Sequence, residues 1–134
     1  MLLPDLVPVR QLLAQSRTIA VVGLSPKASR PSNMVARYLL AAGFRVIPVN
    51  PGQDTILGLP CHHDLASVPE PVDIVDIFRR AEEVEPIVEA AIAIGAKAVW
   101  MQEGIVNEAA AAKARQAGLV VVMDSCIKTV HEQL

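Results

Sequence analysis

The sequence predicts an α/β fold: a parallel sheet of about five strands, doubly wound by helices into three layers. Two observations carry that expectation. Short aliphatic runs (TIAVVG at 18–23, RVIPV at 45–49, DIVDIF at 73–78, AVWM at 98–101 and LVVVM at 119–123) alternate with segments of helical periodicity. The composition is 52% hydrophobic but only 3% aromatic. Such a supply of Ala, Val, Ile and Leu suits helices packed on a buried sheet. Right-handed crossovers then give, most simply, the strand order 3-2-1-4-5. A length of 134 residues fits a single domain over 1–134.

Each element has a local reason. Residues 5–15 read as an N-terminal helix, with Asp5 as a cap and Leu6, Val9, Leu12 and Leu13 on one face. The run 18–23 is continuously apolar and ends at Gly23, as a buried parallel strand does. Residues 32–42 form the next helix, with Ser32 as its cap and Gly43 as its stop. Pro48 cannot donate to a ladder, so the strand at 45–49 belongs near an edge. The connection 52–71 is irregular, with a short extra strand over 56–59 and a helical turn over 64–68. Residues 82–94 form a helix whose Glu82, Glu83 and Glu85 favour its N-terminal dipole end. Asn107 caps a helix running to Ala117, and 126–133 form the last one.

Charge excludes several functions. The formal net charge is −2, and no basic stripe interleaved with aromatics points to nucleic acid. The longest apolar stretch near the start is too short to span a membrane, and no basic segment opens a signal peptide. Cys61 and Cys126 lie in no C-x-x-C pair, so two free thiols in a reducing cytoplasm are expected. The neighbours Cys61, His62, His63 and Asp64 lack a second ligand pair at useful spacing, and we expect no metal site. Trp100 is read as core.

In such a sheet, ligands bind beyond the carboxyl ends of the strands, at the switch point beside the first one. The segments there are Gly23-Leu24-Ser25 with the loop to Ser32, Asn50-Pro51-Gly52, Phe78-Arg79-Arg80, Gln102-Glu103-Gly104 and Asp124-Ser125-Cys126. Gly23 permits close approach to the backbone. A helix start near Ser32 offers unpaired N–H groups, and Arg30 a bidentate grip, to a phosphate. The loop lacks the G-x-G-x-x-G fingerprint, and neutral Asn50 stands where an NAD site carries an acid. Arg79 is a candidate for a further phosphate or for the adenine face; a surface pair with Glu82 is its plain alternative.

The segments VVGLSPKASRPSNMVARYL, RVIPVNP, ILGLPCHHDLASVPEPVDIVDIFRR, IGAKAVWMQEGIVNEAAA and AGLVVVMDSCIKTVH, in this order, are specific as a set. Over about 16–131 the chain resembles the small single-domain CoA-binding proteins, the YccU-like group related to the CoA-binding domain of succinyl-CoA synthetase alpha subunits. The resemblance implies a Rossmann-like domain with coenzyme A as its cofactor. Gly23, Leu24, Ser25, Arg30 and Ser32 would hold the diphosphate and neighbouring phosphate. Val49, Asn50 and Pro51 would line the adenosine side, and Ile77, Phe78 and Arg79 the other wall. Gln102, Gly104 and Ile105 would sit by the pantetheine arm. Where the group has Met-Asp-Arg-Cys, this chain has Ser125 in place of the arginine.

The expected function is therefore non-catalytic binding of CoA or an acyl-CoA, as a carrier, sensor or regulatory module. Nothing here resembles the synthetase's other domain, with its phosphorylated histidine. Two alternatives stand beside it. One is a CoA-dependent enzyme using Cys126 or His131. The other is an NAD-type sensor acting through a partner protein. A homodimer and an unidentified protein partner both stay open.

Overall fold

The computed structural model describes residues 6–134. Asp5, expected as a helix cap, lies outside them. Helix α1 (Leu6–Gln15) leads into strand β1 (Thr18–Val22), helix α2 (Pro31–Ala41) and strand β2 (Arg45–Val49). A small hairpin, β3 (Thr55–Ile56) and β4 (Leu59–Pro60), and a 3-10 turn (Leu65–Ser67) lead to β5 (Ile74–Ile77). A second 3-10 turn (Ala81–Glu83) precedes α3 (Val84–Ala93), then come β6 (Ala98–Met101), α4 (Glu108–Gln116), β7 (Val120–Val122) and α5 (Ile127–Glu132). The extra strand expected at 56–59 is thus a hairpin, and the helix expected over 82–94 begins as a tighter turn. The helical turn at 64–68 is present: the Asp64 carboxylate accepts the Ser67 N–H at 2.9 Å. Asn107 caps α4 as expected, its Oδ1 accepting the Ala110 N–H at 3.0 Å.

The main sheet is parallel and runs β2-β1-β5-β6-β7. Counting only its five members in chain order, this is 2-1-3-4-5 and not the expected 3-2-1-4-5. The outer side of β2 explains the difference. There the chain beyond the hairpin folds back: His62 donates its N–H to Pro48 O at 3.0 Å and its own carbonyl accepts the Asn50 N–H at 2.9 Å. Pro48 has no N–H to offer a further strand. The outer side is thus occupied by a short irregular segment, and β5 pairs with the free side of β1 instead. β2 is the edge strand that Pro48 predicts.

Strand alternation sends side chains into two cores. Ile19, Val21, Ile74 and Trp100 face α1, α2 and α5, which contribute Val9, Leu12, Val35, Leu39, Ile127 and Val130. Ala20, Val22, Val75, Val99 and Met101 face α3 and α4, which contribute Val88, Ala91, Ala110 and Ala114. The small alanines let these helices lie close to the sheet. Trp100 is fully buried, and its indole N–H donates to Ser125 O at 2.7 Å. That bond satisfies the ring's polar atom and ties β6 to the start of α5.

Two aspartates three residues apart meet opposite fates. At the amino edge of the sheet, the Asp73 carboxylate accepts the N–H groups of Arg17 (2.8 Å) and Thr18 (3.0 Å) and pairs with Lys97 Nζ at 3.2 Å. Burial opposes its charge, but these donors outweigh burial and hold its pKa below the ordinary value. Asp76 is fully buried in mid-strand, between Val21 and Trp100 in register, and neither carboxylate oxygen has a partner among the described residues. Burial, and then the nearby Cys126 sulfur, push its pKa well above 3.8.

Asp76 gives a prediction. The unfolded chain ionises this acid from about pH 3.8 upward, whereas the folded chain keeps it protonated. The unfolded state then binds fewer protons, so stability falls as pH rises toward the folded pKa, by about 1.4 kcal/mol per pH unit. Asp76→Asn cannot ionise and gives up no hydrogen bond. Thermal melts should show the variant and wild type alike near pH 4, with the variant the more stable as pH rises above that. Equal pH dependence in both proteins would refute this account.

Candidate functional site

The carboxyl ends of β2, β1 and β5 meet at Gly23. Its N–H donates to Val49 O at 2.9 Å, and the Phe78 N–H donates to Val22 O at 2.8 Å. Gly23 has φ +87°, and a Cβ there would lie 2.4 Å from Phe78 O and 2.9 Å from Arg79 Cδ. Only glycine fits, because both the backbone conformation and the space exclude a side chain. The strand order also matters here. With β5 beside β1, Phe78 and Arg79 border Gly23 directly.

The loop from Leu24 to Arg30 is held by the first turns of α2 and by Asn50. Ser32 Oγ accepts the Ser25 N–H at 3.0 Å. Asn33 Nδ2 donates to Ser25 O at 2.8 Å, and its Oδ1 accepts from Arg37 Nε at 3.0 Å. Arg37 Nη2 reaches Ala28 O at 2.9 Å. Asn50 Nδ2 donates to Leu24 O at 2.9 Å, while its Oδ1 accepts the Gly52 N–H at 2.8 Å. These bonds correct two expectations. Ser32 does not cap α2: Arg30 occupies the cap position without a capping side chain among the described residues, and Pro31 takes the first helical place. The helix start also offers fewer open donors than expected. Pro31 has no N–H, and those of Asn33 and Met34 both point to Arg30 O at 3.1 Å.

Three adjoining hollows follow the strand ends. A hollow of about 340 Å³ lies between Gly23, Ser25, Arg30, Ser32 and Phe78. On one side of it a hollow of about 310 Å³ is walled by Val49, Pro51, Leu65 and Ile87, with Arg79 at its border. On the other side the widest, about 730 Å³, runs past Phe78, Gln102, Gly104, Ile105 and Cys126. Phe78 is shared by the first and third, Gly23 by the first and second, and Arg79 by the second and third. Together they form a bent groove around the Phe78–Arg79 ridge.

Residues 17–132 match the CoA binding domain family. The chain belongs to that family. It is 39% identical over 128 residues to the uncharacterized protein YneT of Bacillus subtilis (strain 168), covering 96% of this chain and 95% of that one. It is 34% identical over 73 residues to Acetate–CoA ligase [ADP-forming] I of Archaeoglobus fulgidus, covering 54% of this chain and 11% of the ligase. A solved structure of a hypothetical protein from Pyrococcus horikoshii OT3 superposes with a TM-score of 0.94 at 37% identity, covering 100% of this chain and 97% of that one.

Within this CoA binding domain, the groove gathers most of the residues named from the sequence: Gly23, Ser25, Arg30 and Ser32 in the middle, Val49 and Pro51 at one end, Phe78 and Arg79 on the ridge, and Gln102, Gly104 and Ile105 at the other end. Three stand outside its walls. The side chains of Leu24 and Ile77 are fully buried in the core, and the Asn50 carboxamide is spent on the two backbone bonds above. Asn50 shapes the loop rather than the groove surface. Arg79 pairs with Glu83 at 3.0 Å, one residue beyond the expected Glu82. Gln102 is itself positioned: its Oε1 accepts the Ile127 N–H at 3.2 Å. The Gly104 N–H donates to Asp124 Oδ1 at 2.7 Å.

Other candidates separate. His131 Nδ1 is 2.6 Å from Tyr38 Oη, and its ring packs edge-on against Phe44, in a hollow with Arg10 and Leu13. Cys126 instead faces the groove, so the two form no nucleophile–base pair. His63 lies 3.3 Å from Asp54, and no three His, Cys, Asp or Glu residues gather for a metal among the described residues. Ser125 is buried, with its Oγ donating to Met123 O at 3.1 Å. The residue that sequence reasoning missed is Asp76, whose signal was an acid in the middle of the apolar DIVDIF run, beyond the one at its start.

Gly23→Ala should destabilise the fold by about 2 kcal/mol or more, combining a strained φ with overpacking. Urea unfolding measures it. A loss under 0.5 kcal/mol, the range of neutral surface changes, would show that the β1–β5 approach is not as tight as described.

Proposed function

We propose that the chain binds coenzyme A or an acyl-CoA in this groove, over one binding unit spanning 1–134, without catalysis of its own. The bent groove around Phe78 and Arg79 is the observation that supports it. CoA is long and chemically segmented, and the groove changes chemistry in the same sequence. The apolar slot at Val49, Pro51, Leu65 and Ile87 suits a purine. The middle hollow brings Gly23, Ser25 and Arg30 to a diphosphate. The wide limb along Phe78, Gln102, Gly104 and Ile105 suits a pantetheine arm. Membership of the CoA binding domain family points the same way.

A carrier, sensor or regulatory role follows from what lines the groove. His131 is turned away and engaged by Tyr38, so no imidazole accompanies Cys126 there among the described residues. The related acetate–CoA ligase is a far longer chain, of which the match spans 11%. That favours reading this chain as a binding module. Among the described residues no helix is long and apolar enough to cross a membrane. We place the protein in the cytoplasm, where thiols such as Cys61 and Cys126 stay reduced.

Calorimetry tests the reading. CoA should bind more tightly than NAD, and Arg30→Ala should weaken CoA about tenfold or more, the scale of one charge-assisted hydrogen bond. Saturation by NAD with no heat from CoA would overturn it.

A further inference from the structure

The two arginines that line the groove beside Gly23 are placed differently. Arg30, at the middle hollow, pairs with no carboxylate among the described residues. Arg79 is held at both ends of its side chain. A Cβ on Gly23 would lie 2.9 Å from Arg79 Cδ, so the stem lies against that glycine. The guanidinium Nη2 donates to Glu83 Oε1 at 3.0 Å. The other Glu83 oxygen, Oε2, accepts the Arg80 N–H at 3.3 Å, which fixes the carboxylate in turn. Gly23 borders both the middle hollow and the apolar slot, and Glu83 walls the slot beside Pro86 and Ile87. The Arg79 side chain therefore runs past the junction of the two hollows and ends at an acid on the slot wall.

Glu83 has no task in the binding reading. The slot's other carboxylate, Asp64, is spent on the Ser67 N–H. Local structure asks of Glu83 only an acceptor for Arg80, and a neutral carboxamide supplies that equally well. What the negative charge adds is its hold on Arg79. A guanidinium grips carboxylate and phosphate through the same planar fork, so the edge given to Glu83 is withdrawn from an incoming phosphate. The hold is also one that a ligand can break. Both side chains are partly exposed, 41% for Arg79 and 35% for Glu83, and such pairs contribute little to stability.

We propose that Glu83 sets the affinity of the groove by competing with the bound nucleotide's phosphates for Arg79. This rests on the CoA reading above, which brings phosphates past Gly23. In the empty groove Glu83 parks the guanidinium at the slot. A seated phosphate draws it away, so one ion pair breaks as another forms. The net gain from Arg79 is then smaller than from a free arginine, and release is correspondingly easy, as a carrier or sensor requires.

Calorimetry with CoA on the full chain tests this through four proteins: wild type, Glu83→Gln, Arg79→Met and the double variant. Gln keeps the acceptor for Arg80, and Met keeps the stem against Gly23 without the charge. Glu83→Gln should bind CoA about threefold more tightly than wild type, the scale of one exposed ion pair no longer given up. A damaged fold would not raise affinity. Arg79→Met should bind more weakly than wild type, and adding Glu83→Gln to it should bring no further gain. Unchanged or weaker binding by Glu83→Gln would overturn the inference and leave the CoA reading standing. The same gain with and without Arg79 would also overturn it, because the carboxylate would then merely repel the ligand. Absence of CoA binding by all four proteins would overturn both.

Discussion

The contact between Gly23 and the Phe78 carbonyl is the constraint on which the rest of the site depends. A strand end can approach its neighbour this closely only where no Cβ intervenes, and the φ of +87° at Gly23 excludes other residues independently. Because β1 and β5 close up there, Phe78 and Arg79 become a ridge rather than one more loop. The groove must bend around that ridge. The hydrogen bond from Gly23 to Val49 then brings β2 to the same level, so residues far apart in the chain surround one glycine.

Much of this was legible in the sequence because it is local. Aliphatic runs ending in glycine mark the buried strands, Asn107 marks a cap, and Pro48 marks an edge. The segments after each strand identify the groove because a parallel sheet delivers all of its carboxyl ends to one side. The strand order was not legible, because it depends on which side of β1 receives β5. That choice is made by residues 60–62 folding back on β2, an irregular pairing with no periodic signature. Ser32 shows a similar limit. Its position before a helical run reads as a cap, yet Pro31 moves the helix start one residue earlier and turns the hydroxyl toward Ser25.

Asn50 shows how a functional-looking residue can act at one remove. A neutral residue at the end of β2 argues against an acidic ribose clamp, and that argument concerns what the residue lacks. Its carboxamide joins the loop after β1 to the turn after β2. Leu24 and Ile77 likewise belong to the packed floor beneath the groove. The two aspartates of the DIVD run extend the contrast. Asp73, at the strand's start, can gather backbone donors, whereas Asp76, in mid-strand between aliphatic neighbours, has none within reach.

The bonds from Ser32, Asn33 and Arg37 have a kinetic consequence. They fasten the loop at 24–30 to the helix that follows it, so loop and α2 form one mechanical unit. On the binding reading proposed above, a ligand arriving there would meet a loop already held in place. Its capture rate would then be governed by orientation and charge at first encounter, as for a rigid receptor, and its lifetime by the contacts it makes once seated.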